Sequence, residues 1–194
     1  MIISWQEALD VIVLTLALGF IFMDLVPAPA RKKLYGALNL PYDIEGSGFD
    51  WKRLWHAAIL VGPAIIIHEA AHKAAALAFG MQAVFHANYL WLGIGILLKL
   101  INFGFIFIVP AFVSISGTAQ YLQQAIISFA GPAVHLILFL IAFFITKNKK
   151  IPKDHYAAWM FIKRINLILF IFNMLPIPMF DGWGVYSNLW KAIF

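Results

Sequence analysis

A chain of 194 residues that is 63% hydrophobic and only 12% charged is not composed for water. Soluble domains run at roughly 45–50% apolar and about 25% charged, and a chain this short exposes too much surface to hide the excess. The net charge of +5 comes largely from basic residues at the edges of apolar runs (Arg31, Lys32, Lys33, Lys52, Arg53, Lys147, Lys149, Lys150, Lys153), which is how helix ends are anchored at lipid headgroups and not how nucleic acid is bound.

Ala8 to Val26 is an apolar run long enough to cross a hydrocarbon core of ~30 Å at ~1.5 Å per residue. It carries Asp10 and Asp24 and ends at Pro27 and Pro29. With Glu7 and Asp10 where a signal peptide has positive charge, it reads as a retained transmembrane helix. Residues 30–51 are polar and read as an aqueous loop. Trp51, Lys52, Arg53 and Trp55 form an interfacial belt ahead of a second spanning helix, Leu54 to Phe79, with Gly80 at its C-cap. Residues 81–119 are apolar but broken by Gly93, Gly95, Lys99, Asn102, Gly104 and Pro110. Each piece is too short to cross, so strands or re-entrant hairpins are expected, with Phe105 to Val109 the most β-like stretch. Tyr121 to Thr146 is a third spanning helix containing Gly131–Pro132. A fourth runs from Ala157 to about Leu175, where Pro176 and Pro178 break it, and Trp183 to Phe194 is a short tail.

The chemistry centres on His68-Glu69-Ala70-Ala71-His72. Four helical steps leave the two histidines about 40° apart on one face, where both imidazoles can reach one metal ion, with Glu69 beside them to take a proton from water. Ionisable groups inside a membrane helix are expensive and mark function by default. The chain has no cysteine, so a third ligand must be His, Asp or Glu, and a catalytic zinc site takes three protein ligands plus water. Asp10, Asp24 and the loop acids are candidates. Asp181 is the best placed, after a proline-broken helix end, with Gly182 able to turn its carboxylate inward. The two motifs meet at one depth only if residues 81–119 enter and leave the membrane on the same side.

His68–His72 followed by Asn173-x-x-Pro-x-Pro-x-x-Asp181-Gly182 resembles the site-2 protease family of intramembrane metalloproteases, over residues 54–182. The resemblance implies an H-E-x-x-H helix, a re-entrant β region, a Gly-Pro helix and a helix ending in Asp-Gly. It implies zinc (Zn²⁺) held by His68, His72 and Asp181, Glu69 as general base, and Asn173 binding substrate backbone or the oxyanion. One departure is visible: the family's Gly-Pro-x-x-Asn reads here Gly131-Pro132-Ala133-Val134-His135. His135 takes over that hydrogen bonding, touches the metal region, or is bonded within the bundle.

The expectation is an all-α, polytopic membrane bundle of about four spanning helices with a re-entrant β-containing region. Its parts are a first helix and loop (1–53), a catalytic core (54–182) and a tail (183–194). The expected activity is zinc metalloendopeptidase cleavage of transmembrane protein substrates in a cell membrane, with the lipid bilayer as the other partner and no nucleic acid. The alternative is a metal-binding transporter or sensor, which needs neither Glu69 as base nor the Asn-x-x-Pro segment. A protease class with a later Glu ligand is excluded, since no Glu follows Glu69. The positive-inside rule puts the basic loops at 31–53 and 147–153 in the cytoplasm, which with four crossings sends the catalytic end of the bundle to the outside, whereas the resemblance implies a site nearer the cytoplasmic face.

Overall fold

The computed structural model describes residues 4–27, 49–103, 109–147 and 151–194. The described elements run α1 (Trp5–Phe22), α2 (Trp51–Ala78), β1 (Gln82–Ala87), α3 (Tyr89–Leu100), β2 (Ala111–Ser116), α4 (Tyr121–Lys147), α5 (Lys153–Asn173) and α6 (Asp181–Ile193). Four helices are long and apolar enough to cross a membrane: α1, α2, α4 and the His155–Asn173 part of α5. This is a membrane protein, mostly helical with one small sheet. The polar loop expected over 30–51 falls mostly outside the described residues.

Helix ends follow local chemistry. Ser4 caps α1 in a capping box: its hydroxyl accepts from the Glu7 N–H while Glu7 accepts from the Ser4 N–H. Asp50 caps α2 through the Arg53 N–H at 3.0 Å. Gly80 ends α2 with φ +77°, the left-handed conformation that glycine adopts without a Cβ clash.

Packing between α1 and α2 makes the largest buried cluster, with Leu14, Leu18, Ala57 and Val61 each at most 1% exposed. A Cβ on Gly19 would lie 2.9 Å from the Leu54 carbonyl oxygen, so small residues set this close crossing, as membrane interfaces require. Ile59, Phe144 and Ile171 stay more than half exposed on the outer faces, where lipid would meet them.

Among the described residues of 81–119, β1 and β2 pair with each other and α3 lies between them in the chain. At 12 residues this helix is ~18 Å long, too short to span the membrane. β1 pairs antiparallel with β2, Gln82 opposite Ser116 and Ala87 opposite Ala111. The second strand therefore begins after Pro110, beyond the β-like stretch expected at Phe105 to Val109, of which residues 105–108 lie outside the described residues.

The outer edge of β1 is occupied by α1. Glu7 accepts the Phe85 N–H at 2.8 Å and also takes Lys73; Asp10 accepts the Ala87 N–H at 3.3 Å and the Tyr89 hydroxyl. Lys73 therefore neutralises Glu7, and Asp10 is spent on the strand.

The expected tail is helix α6, packed along α4. Glycine makes that packing possible. A Cβ on Gly182 would fall 2.6 Å from the carbonyl oxygens of Met174 and Leu175, and one on Gly184 would strike Ser128. Gly182 has no left-handed φ, so it is there for close approach and not, as its sequence suggested, for turning.

Candidate metal centre

α2 carries His68 and His72 one turn apart, both buried, with their Nε2 atoms 3.1 Å from each other. The break after α5 returns the chain so that Asp181, at the first turn of α6, faces them. Its Oδ2 is 3.2 Å from His68 Nε2 and its Oδ1 3.3 Å from His72 Nε2. The two motifs, 109 positions apart from His72 to Asp181, thus meet at one point. Among the described residues they are the group able to hold a metal ion.

The donor chemistry fits a metal. His72 Nδ1 lies 2.7 Å from the Ile127 carbonyl oxygen, which can only accept. Nδ1 therefore carries the proton, and Nε2 presents a lone pair. That lone pair faces a carboxylate oxygen, an arrangement that calls for a cation between them. Ligands ~2.0–2.1 Å from a tetrahedral zinc ion stand roughly 3.3 Å apart, which matches the three separations. His68 Nδ1 is buried and has no hydrogen-bond partner among the described residues, so its proton is settled by what Nε2 binds.

Asp181 would bind a metal ion as the carboxylate, the form a ligand must take.

Gly131 on α4 is the wall behind the ligands. A Cβ there would sit 2.6 Å from His68 Nε2 and closer still to His72 Nε2. The space next to the two nitrogens exists only because residue 131 has no side chain.

Glu69, 7% exposed, His135 and Asn173 line the same cavity of about 370 Å³, together with His68, His72 and Asp181. His135 lies outside the metal group, its ring 4.7 Å from that of His68 and tilted by 32°. Asn173 is the last residue of α5, partly buried. The other acidic candidates are elsewhere: Asp24 is 3.9 Å from Arg53 and 3.4 Å from Lys99, and Asp10 serves β1. Among the remaining histidines, His56 hydrogen-bonds the Pro27 carbonyl and His86 stacks on Phe112.

Two residues at the centre were not identified as such from the sequence. Gly131 was read only as part of a Gly-Pro pair, and Asn166, fully buried on α5 against His135, was not singled out. A lone Asn in an apolar helix is the cue that could have found it.

With this geometry in place, comparison with known proteins becomes informative. The chain is 39% identical over 127 residues to "Putative zinc metalloprotease MJ0611" of Methanocaldococcus jannaschii, covering 64% of this chain and 65% of that protein. It is 27% identical over 132 residues to "Putative zinc metalloprotease sll0528" of Synechocystis, covering 68% of this chain and 30% of that protein. The chain is related to proteins named as zinc metalloproteases. It spans less than two thirds of the length of either. No protein-family model and no solved structure matches it.

Proposed function

We propose that the chain is a multi-pass intramembrane zinc metalloprotease of the site-2 type, cutting peptide bonds in or beside transmembrane segments of other proteins. The observation that carries this is a His68–His72–Asp181 group with Glu69 beside it, in a cavity among helices long enough to cross a membrane. The relatives' names point to the same chemistry.

Zinc bound there would polarise a scissile carbonyl and make water nucleophilic near neutral pH. Glu69 takes the proton from the attacking water and returns it to the departing amine. Asn173, which lines the cavity, would donate to a substrate carbonyl oxygen. Its amide and His135 are among the cavity's polar groups that would orient substrate.

The strand register supports a binding mode. Since Phe85 and Ala87 turn their N–H groups toward α1, the residues opposite them on β2, Val113 and Ala111, turn theirs away from β1, and so does Ile115. All three line the cavity, so an unwound substrate can pair with that edge while its carbonyls, hidden in a helix, become accessible. A transporter or sensor would have no use for a base and, among the described residues, an unpaired strand edge at one cavity.

The test is incubation of the detergent-solubilised protein with single-helix substrates, with mass spectrometry of the products. New termini within or at the edge of the apolar segment support the proposal. Cleavage confined to soluble loops far from it, or zinc uptake with no cleavage of any substrate, would overturn it.

A further inference from the structure

The polar pair behind the metal group has a defined proton. Asn166 is fully buried, and its Nδ2 donates to the Ile162 carbonyl at 2.9 Å. A carbonyl oxygen cannot donate, so the amide orientation is fixed: exchanging its O and N would set oxygen against oxygen. Oδ1 is then the atom 3.0 Å from His135 Nδ1, and because Oδ1 only accepts, Nδ1 carries the hydrogen. His135 is 1% exposed and its ring lies against that of His68 in the lining of the cavity. In an imidazole that carries its hydrogen on Nδ1, the other nitrogen, Nε2, is a lone pair.

From this we infer that Asn166 is a positioning residue that locks His135 in the Nδ1–H tautomer, and that His135 Nε2 is the cavity's acceptor for a backbone N–H of the bound substrate. This rests on the protease reading above and refines it. A side-chain amide at position 135 could either donate or accept; the locked imidazole can only accept. The two orienting groups then divide the work, with Asn173 for carbonyl oxygen and His135 for N–H. An extended peptide offers both, alternating along its length, whereas a helical one keeps them internally bonded. His135 therefore selects for unwound substrate.

The experiment combines nitrogen NMR of ¹⁵N-histidine-labelled, zinc-loaded protein in detergent with kinetics on a single-helix substrate. The His135 signals are assigned by their loss in His135→Asn. Expected are a protonated Nδ1 and an unprotonated Nε2 in the wild type, a pattern lost in Asn166→Leu. Asn166→Leu should raise KM roughly tenfold with kcat within about twofold and bound zinc unchanged, since the hydrogen bond is made already in the ground state. A wild type protonated at Nε2 overturns the inference without any variant having to fold. So does Asn166→Leu with wild-type KM, or a fall in kcat with the zinc lost. The spectrum judges the tautomer even where no substrate is cut; absence of cleavage by the wild type would overturn the substrate contact along with the protease reading.

Discussion

Replacing Gly131 by Ala should remove metal binding while leaving the helix intact. The added Cβ would lie 2.6 Å from His68 Nε2, whereas ordinary contact begins near 3.4 Å. The shortfall, about 0.8 Å at His68 and more at His72, must be met by α4 or the imidazoles, and metal–ligand distances tolerate only ~±0.2 Å. One imidazole must therefore leave the ion. Loss of partners that merely support a ligand already costs ~10–100-fold in metal affinity, so a displaced ligand should cost at least about 100-fold. Helix propensity works in the opposite direction, because Ala is favoured over Gly by about 1 kcal/mol in a helix. Lower affinity with undiminished helicity thus isolates the steric effect. The assay is chelator competition for zinc, with circular dichroism on the same samples and Gly93→Ala as control, since a Cβ there meets nothing within 4 Å. Zinc affinity in Gly131→Ala within threefold of wild type would refute the reasoning.

Two further outcomes follow from the polar contacts outside the metal group. Lys73→Met should destabilise the protein by roughly 3–5 kcal/mol, measured by denaturant unfolding in detergent, because it strands the buried Glu7 carboxylate; Glu7→Gln in the same chain should recover much of the loss. On β2, Val113→Pro should raise KM with the hairpin preserved, since the Val113 N–H points away from β1, whereas Ser114→Pro should disrupt the β1–β2 pairing itself. Equal effects of the two prolines on KM and on thermal stability would count against substrate pairing at this edge.

The sequence announced whatever is local. Two histidines at one-turn spacing around Glu69, and an Asp-Gly after a proline-broken helix, each carry their meaning within a few residues, and the structure brings His68, His72 and Asp181 to within 3.3 Å of one another. The four spanning helices were legible because length and apolarity decide them. What stayed hidden depends on partners far along the chain. Glu7 and Asp10 were read as marks against a signal peptide, and Asp10 also as a candidate ligand, yet they accept from backbone N–H groups 78 and 77 residues away. Asn166 looks like an isolated polar residue until His135 is set beside it. The C-terminal segment read as a short tail, whereas it is a helix that packs along α4, with Gly182 fitted against the Met174–Leu175 backbone and Gly184 against Ser128. Of the β-branched and aromatic stretch Phe105 to Val109, residues 105–108 lie outside the described residues; the strand that pairs with β1 is Ala111–Ser116.

The central claim is that Glu69 is the base of a zinc-dependent peptide hydrolysis carried out beside His68, His72 and Asp181. The most direct measurement compares wild type and Glu69→Gln on one single-helix substrate, with zinc quantified in both proteins. The account predicts equal zinc and cleavage lost in the variant by at least about 100-fold, the scale of a general base. A zinc-loaded Glu69→Gln that cuts at the wild-type rate would contradict it.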